Sequence, residues 1–200
     1  MKKPIIAVDI DDTLADYATA FIEFTNRTWG TSLTPNDYSE DWSKVWQVDY
    51  DEVVRRASVV NDASFMATFA PISDAYEVLR GLKESFILVA ATSRRRAQAV
   101  MTAEWLDTHY GGLFDDVHHS GIYDDQIEAA TFSLTKTDVL RQINADFLID
   151  DQLKHCLGAA EHGIKAVLFG NHAWNQHDAL PQHVSRCADW QAVGRYFKNI

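Results

Sequence analysis

Asp9-Ile10-Asp11-Asp12-Thr13-Leu14 places two carboxylates one residue apart, directly after the apolar run Ile5-Ile6-Ala7-Val8. Carboxylates so spaced can share a cation while one keeps an oxygen free for nucleophilic attack. A lone Asp-x-Asp serves as readily to cap a helix in a strand-to-helix turn, so the other polar groups decide between the readings. Asp150-Asp151, after Phe147-Leu148-Ile149, adds hard oxygen ligands suited to Mg2+ in octahedral geometry. Thr92-Ser93, after the apolar run 86–91, adds hydroxyls and backbone amides at a helix start, where a phosphate is well received. Lys136 adds a point charge near the start of another helical segment.

The elements that must position these groups follow from the hydrophobic pattern. The runs 5–8, 86–91, 147–149 and 166–169 read as buried parallel strands with polar tips. Between them lie segments of helical period over 74–83, 95–109, 137–143 and 152–162. Strands alternating with helices predict an α/β fold, a parallel sheet covered on both faces, whose ligands bind beyond the carboxyl ends of the strands. Residues 15–71 break the alternation, being rich in Trp, Tyr and acidic residues without an apolar strand run. They read as a mainly helical insert that starts at the first carboxylate cluster and therefore lies over the site.

Composition narrows the partners. A chain of 200 residues, 46% hydrophobic and 24% charged, suits one domain with an insert. A net charge of −11 repels polyanions, so no nucleic-acid partner is expected. Cys156 and Cys187 have no metal-type spacing, and no segment has the length of a signal-peptide core or a membrane span. A cytoplasmic protein without a membrane partner is the expectation, and a homodimer is left open. The adjacent His118 and His119, and His172 and His177 in a loop, do not suggest a metal site. Arg94-Arg95-Arg96 at a helix start reads as a solvated surface or as a phosphate contact. Trp29, Trp42 and Trp46 read either as a core for the insert or as faces on which a base could stack.

The order Asp-x-Asp, Thr92, Lys136, Asp150-Asp151 resembles the four motifs of the haloacid-dehalogenase (HAD) superfamily. That resemblance implies a Rossmann-like HAD fold with a core over 1–14 and 72–200, a small helical cap inserted after the first strand over 15–71, Mg2+ dependence, and phosphoryl transfer through an aspartyl phosphate. More closely, the stretch from Asp9 through Leu14-Ala15-Asp16 to Tyr17 is similar to the extended first motif of the 5'(3')-deoxyribonucleotidase family. Thr92-Ser93 matches that family's paired hydroxyls, and Phe147-Leu148-Ile149-Asp150-Asp151 its Leu-Ile-Asp-Asp strand. Val167-Leu168-Phe169 with His172 and Asn175, then Ala188-Asp189-Trp190, is similar to its ending. Asp12 stands where mammalian members commonly have Gly. Arg94-Arg95-Arg96 stands where they carry their lysine, so Lys136 is taken for that role with Arg94 as the alternative.

Carried onto these residues, the resemblance implies that Asp9 is the nucleophile and Asp11 the acid and base. Mg2+ is held by Asp9, the Asp11 carbonyl and Asp150, while Asp151 ligates a metal water or orients Lys136. Thr92 and Lys136 hold the phosphoryl oxygens, Ser93 and Arg94 lie on the substrate side, and Tyr17, Trp42 and Trp46 flank a base. The expected substrate is a small phosphomonoester, a (deoxy)nucleoside monophosphate, with a sugar phosphate as the alternative. A receiver-like signalling domain is disfavoured because there the phosphoacceptor ends a later strand than the acidic pair. A binding protein with a dead site is disfavoured because every catalytic group is present.

Overall fold

The computed structural model describes residues 2–121 and 134–200. The first strand, β1 (Ile5–Val8), is followed by four helices, α1 (Tyr17–Trp29), α2 (Trp42–Trp46), α3 (Tyr50–Val60) and α4 (Ala63–Met66). From α5 (Ala75–Leu82) onward the chain alternates: β2 (Ile87–Thr92), α6 (Ala99–Tyr110), β3 (Asp116–His119), α7 (Lys136–Gln142), β4 (Phe147–Asp150), α8 (Leu153–Glu161) and β5 (Lys165–Phe169). It closes with β6 (Val184–Cys187) and α9 (Trp190–Phe197). The strands pair in the order β3-β2-β1-β4-β5-β6, each pair parallel. The order reverses between β1 and β4, and a crevice opens at such a point beyond the carboxyl ends of the strands.

Successive side chains of a strand leave opposite faces, so each central strand feeds two cores. Ile6, Val8, Leu88, Ala90 and Ile149 pack with Leu79, Leu106 and Val193 from α5, α6 and α9. Ile5, Ala7, Val89, Ala91 and Leu148 pack with Leu140, Cys156 and Ala159 from α7 and α8. The helices answer with apolar stripes at helical spacing: Ala75, Leu79 and Leu82 in α5, and Trp190, Val193 and Phe197 in α9. The edge strands β3 and β6 and the helix α9 are additions to the elements expected from the pattern.

Register delivers the polar residues to one place. Val8 pairs with Ile149, so the next residue, Asp9, stands level with Asp150, and the Asp9 amide donates to the Ile149 carbonyl at 2.9 Å. The chain then turns tightly, the Ile10 carbonyl accepting from the Leu14 and Ala15 amides at 2.8 Å each. Asp12 takes a left-handed φ of 54° in this turn, and its carboxylate accepts from the Ala18 amide at 2.8 Å, capping α1. The two connections of the 15–71 segment run side by side, Asp16 donating to Ala70 at 2.9 Å and Ile72 to Leu14 at 2.7 Å.

Candidate active site

Lys136, the first residue of α7, is 2% exposed and reaches two carboxylates at the strand ends. Its Nζ lies 2.8 Å from Asp9 Oδ1 and 2.6 Å from Asp150 Oδ2. Burial pulls the ammonium pKa down, but Asp150 and Asp9 outweigh it and hold Lys136 charged. Burial pushes the Asp9 carboxyl up to about 7, against the pull of Lys136 and with further repulsion from Asp150 and Asp11. The second Asp150 oxygen accepts from the Gln152 amide at 2.8 Å, so both of its oxygens are engaged.

Asp151 is placed differently from its neighbour. Its Oδ2 accepts from the Trp174 indole at 2.6 Å and from Gln152 Nε2 at 2.8 Å, while its backbone carbonyl accepts from Asn175 Nδ2 at 2.9 Å. The residue of this tandem pair that holds Lys136 is thus Asp150, where the expectation had offered Asp151 for orienting it. Burial first, then Asp150, raises the Asp151 carboxyl well above the ordinary range. Asp9, Asp150 and Asp151 each bring a carboxylate oxygen within 4.8 Å of the others. Buried carboxylates crowded in this way, two of them resisting ionisation, are a donor set that a small divalent cation fits.

Beyond this floor opens a cavity of about 450 Å³, within the range of small-molecule sites. Asp9, Asp11, Asp151, Ser93, Arg94 and Lys136 line its inner end. Ser93 Oγ is buried there without a hydrogen-bond partner, an orphan donor of the kind a bound oxyanion would satisfy. Thr92 Oγ1 accepts from the Arg94 amide at 3.1 Å. The outer walls carry Tyr17, Tyr38, Trp42 and Asn61, with His155 from the first turn of α8. Burial, reinforced by Lys136, lowers the His155 imidazole to about 3 and leaves it neutral.

Two residues fall elsewhere than their sequence suggested. Trp46 is 5% exposed and belongs to the core of the helical segment: Phe21 stacks on it at 5.6 Å, Trp29 meets it edge-on at 5.2 Å, and its indole donates to Thr25 Oγ1 at 3.3 Å. With its ring covered, Trp46 is unable to flank a base, whereas Trp42, half-buried, lies on the cavity wall. Arg94 is buried instead of forming part of a solvated charge run, and it grips Asp11, with Nη2 2.6 Å from Oδ1.

Sequence reasoning missed Tyr38 and Trp174. The Trp174 indole stacks on His172 with centroids 4.4 Å apart and meets the Tyr38 ring edge-on at 5.0 Å, while Tyr38 packs against Tyr17 at 5.6 Å. An ion pair between Glu40 and Lys154 joins the same loop to α8. A chain of aromatic contacts therefore runs from Asp151 to the helical segment. A tryptophan two residues beyond His172 was the available signal.

The family model described as 5' nucleotidase, deoxy (pyrimidine), cytosolic type C protein (NT5C) matches residues 3–197. Among solved structures, the chain is similar to a haloacid dehalogenase-like family hydrolase from Streptococcus pneumoniae, with a TM-score of 0.72 and 18% identity over 98% of each chain. It is similar to a protein described as a predicted phosphatase from Clostridium acetobutylicum, with a TM-score of 0.69 and 14% identity over 100% of each chain. A HAD-hydrolase from Bacillus subtilis, solved bound to magnesium, matches with a TM-score of 0.60 and 15% identity over 100% of each chain. No curated protein sequence matches this chain at a significant level. With the sheet order, these likenesses show the Rossmann-like HAD fold. Among the described residues no helix is long and apolar enough to cross a membrane.

Proposed function

This chain belongs to the family of deoxy (pyrimidine) 5' nucleotidases of cytosolic type C and is a phosphatase; from that premise we propose that it dephosphorylates (deoxy)nucleoside monophosphates through a phosphoaspartate on Asp9. The observation that carries the reading is the convergence of Asp9, Lys136 and Asp151 at the floor of a cavity whose walls are aromatic.

Asp9 attacks phosphorus, forming a P–O bond to its carboxylate as the bond to the nucleoside oxygen breaks. Asp11 gives that oxygen a proton. It then takes a proton from the water that cleaves the phosphoaspartate, releasing inorganic phosphate and restoring Asp9. Lys136 neutralises the nucleophile's surroundings and, with the Thr92 and Ser93 hydroxyls, holds phosphoryl oxygens. Asp9, Asp151 and the Asp11 carbonyl would hold Mg2+, with Asp150 anchoring Lys136 beside them. When bound, the ion supplies charge neutralisation to a site rich in carboxylates.

Residues 15–71 act as the cap over the 1–14 and 72–200 core. The paired connections at 14–16 and 70–72 support a hinge there, and Tyr17 and Trp42 offer faces for the base. A phosphate-release screen across nucleoside monophosphates and sugar phosphates, with Mg2+ and with chelator, tests the reading. Mg2+-dependent release with preference for deoxynucleotides supports it, and preference for sugar phosphates overturns the substrate assignment.

A further inference from the structure

Arg94 meets Asp11 in a fork. Nη2 lies 2.6 Å from Oδ1, and Nε lies 3.0 Å from Oδ2 and 3.2 Å from Oδ1, so one planar group engages both carboxylate oxygens. The Arg94 side chain is only 5% exposed, while that of Asp11 is 30% exposed, facing the cavity.

The guanidinium is itself fixed from behind. Nη1 donates to Thr102 Oγ1 at 3.4 Å, and the guanidinium carbon lies 5.6 Å from the Phe69 ring and 5.9 Å from the Trp105 ring. Trp105 is tied to the Phe69 carbonyl by its indole at 2.9 Å, so the two rings form one unit. Three of the five guanidinium N–H groups are thus committed, two to Asp11 and one to Thr102. The rigid donors of arginine match a carboxylate in a way a lysine ammonium does not.

We propose that Arg94 is the positioning residue for Asp11, aiming its carboxylate at the leaving oxygen, and that it is not a ligand of the substrate phosphate. The proposal rests on the acid–base reading of Asp11. Its consequence is that Arg94 acts only through Asp11 and matters only where the leaving group needs a proton.

The test compares a deoxynucleoside 5'-monophosphate with p-nitrophenyl phosphate, whose anion departs without a proton, in Arg94→Lys, Asp11→Asn and the double variant. Arg94→Lys should lower kcat on the nucleotide by about 100-fold with KM little changed, and on the aryl ester by less than about 5-fold. The double variant should lose no more on the nucleotide than Asp11→Asn alone, since both substitutions remove one function. Raised KM on both substrates, or losses that multiply in the double variant, would overturn the proposal. If Asp11→Asn itself costs both substrates equally, the acid–base reading fails and the positioning role with it. If Asp11→Asn separates the substrates and Arg94→Lys does not, positioning fails alone. Should the Arg94 variant not fold, Thr102→Val decides: a loss of about 3-fold or more confined to the nucleotide supports the proposal, and an equal loss on both or none overturns it.

Discussion

Lys136 Nζ and Asp150 Oδ2 lie 2.6 Å apart in a fully buried ion pair. Because the other Asp150 oxygen holds the Gln152 amide, this carboxylate is committed to the protein, and the proposed function therefore gives the cation to Asp151 in place of the Asp150 that the family resemblance implied. Asp151→Asn should therefore raise the Mg2+ concentration needed for half-maximal activity at least tenfold, a loss in the range typical of metal-site variants. Asp150→Asn should instead lower thermal stability, since the buried Lys136 then keeps only Asp9 as a charged partner. A Mg2+ titration of both variants, beside their thermal melts, checks this, and the reverse assignment would place the metal on Asp150.

The two tryptophans of α2 should separate stability from substrate binding. Trp46→Ala empties a buried site and should destabilise the fold by about 3–5 kcal/mol. Trp42→Ala, which loses a stacked contact with Phe21 at 5.3 Å but empties a site that is only half-buried, should cost less stability than Trp46→Ala while reducing kcat/KM for a nucleotide roughly tenfold, as loss of one stacking contact would. Acetyl phosphate, which has no base, should be hydrolysed almost as before. Denaturation curves and kinetics on both substrates measure the contrast.

The buried acid pair predicts an unusual pH dependence in the metal-free protein. The Asp9 carboxyl is raised from 3.8 to about 7 in the folded chain, so its contribution to stability is fully present below 3.8 and is lost as pH rises through about 7. Asp9→Asn removes that term, and in chelator the variant should gain on the parent as pH rises from 4 to 8. Thermal melts of the two proteins across this range give the difference directly, and a constant difference would mean that Asp9 ionises normally.

How much of this was legible in the sequence follows from where each residue sits. The central strands β1, β2, β4 and β5 are buried on both faces and read as apolar runs, and their polar tips marked Asp9, Thr92 and Asp150. The strands β3 (Asp-Val-His-His) and β6 (Val-Ser-Arg-Cys) lie at the sheet edges, where half-exposed positions tolerate polar residues and the run disappears. The grip of Arg94 on Asp11 was not legible, neither the solvated nor the phosphate-contact reading naming it, because its partners, Asp11, Thr102, Phe69 and Trp105, are distant in the chain and leave no local trace. The same holds for Tyr38 and Trp174, brought together from a loop of the insert and a loop after β5.

The central claim is covalent catalysis at Asp9. Rapid acid quench during turnover of a deoxynucleoside monophosphate with Mg2+, followed by borohydride reduction and peptide mass spectrometry, should convert Asp9 to homoserine, the product expected of an acyl phosphate. The conversion should be absent from Asp9→Asn and from the chelated enzyme. Steady turnover with no reduced residue, or with the mark on another carboxylate, would contradict the account.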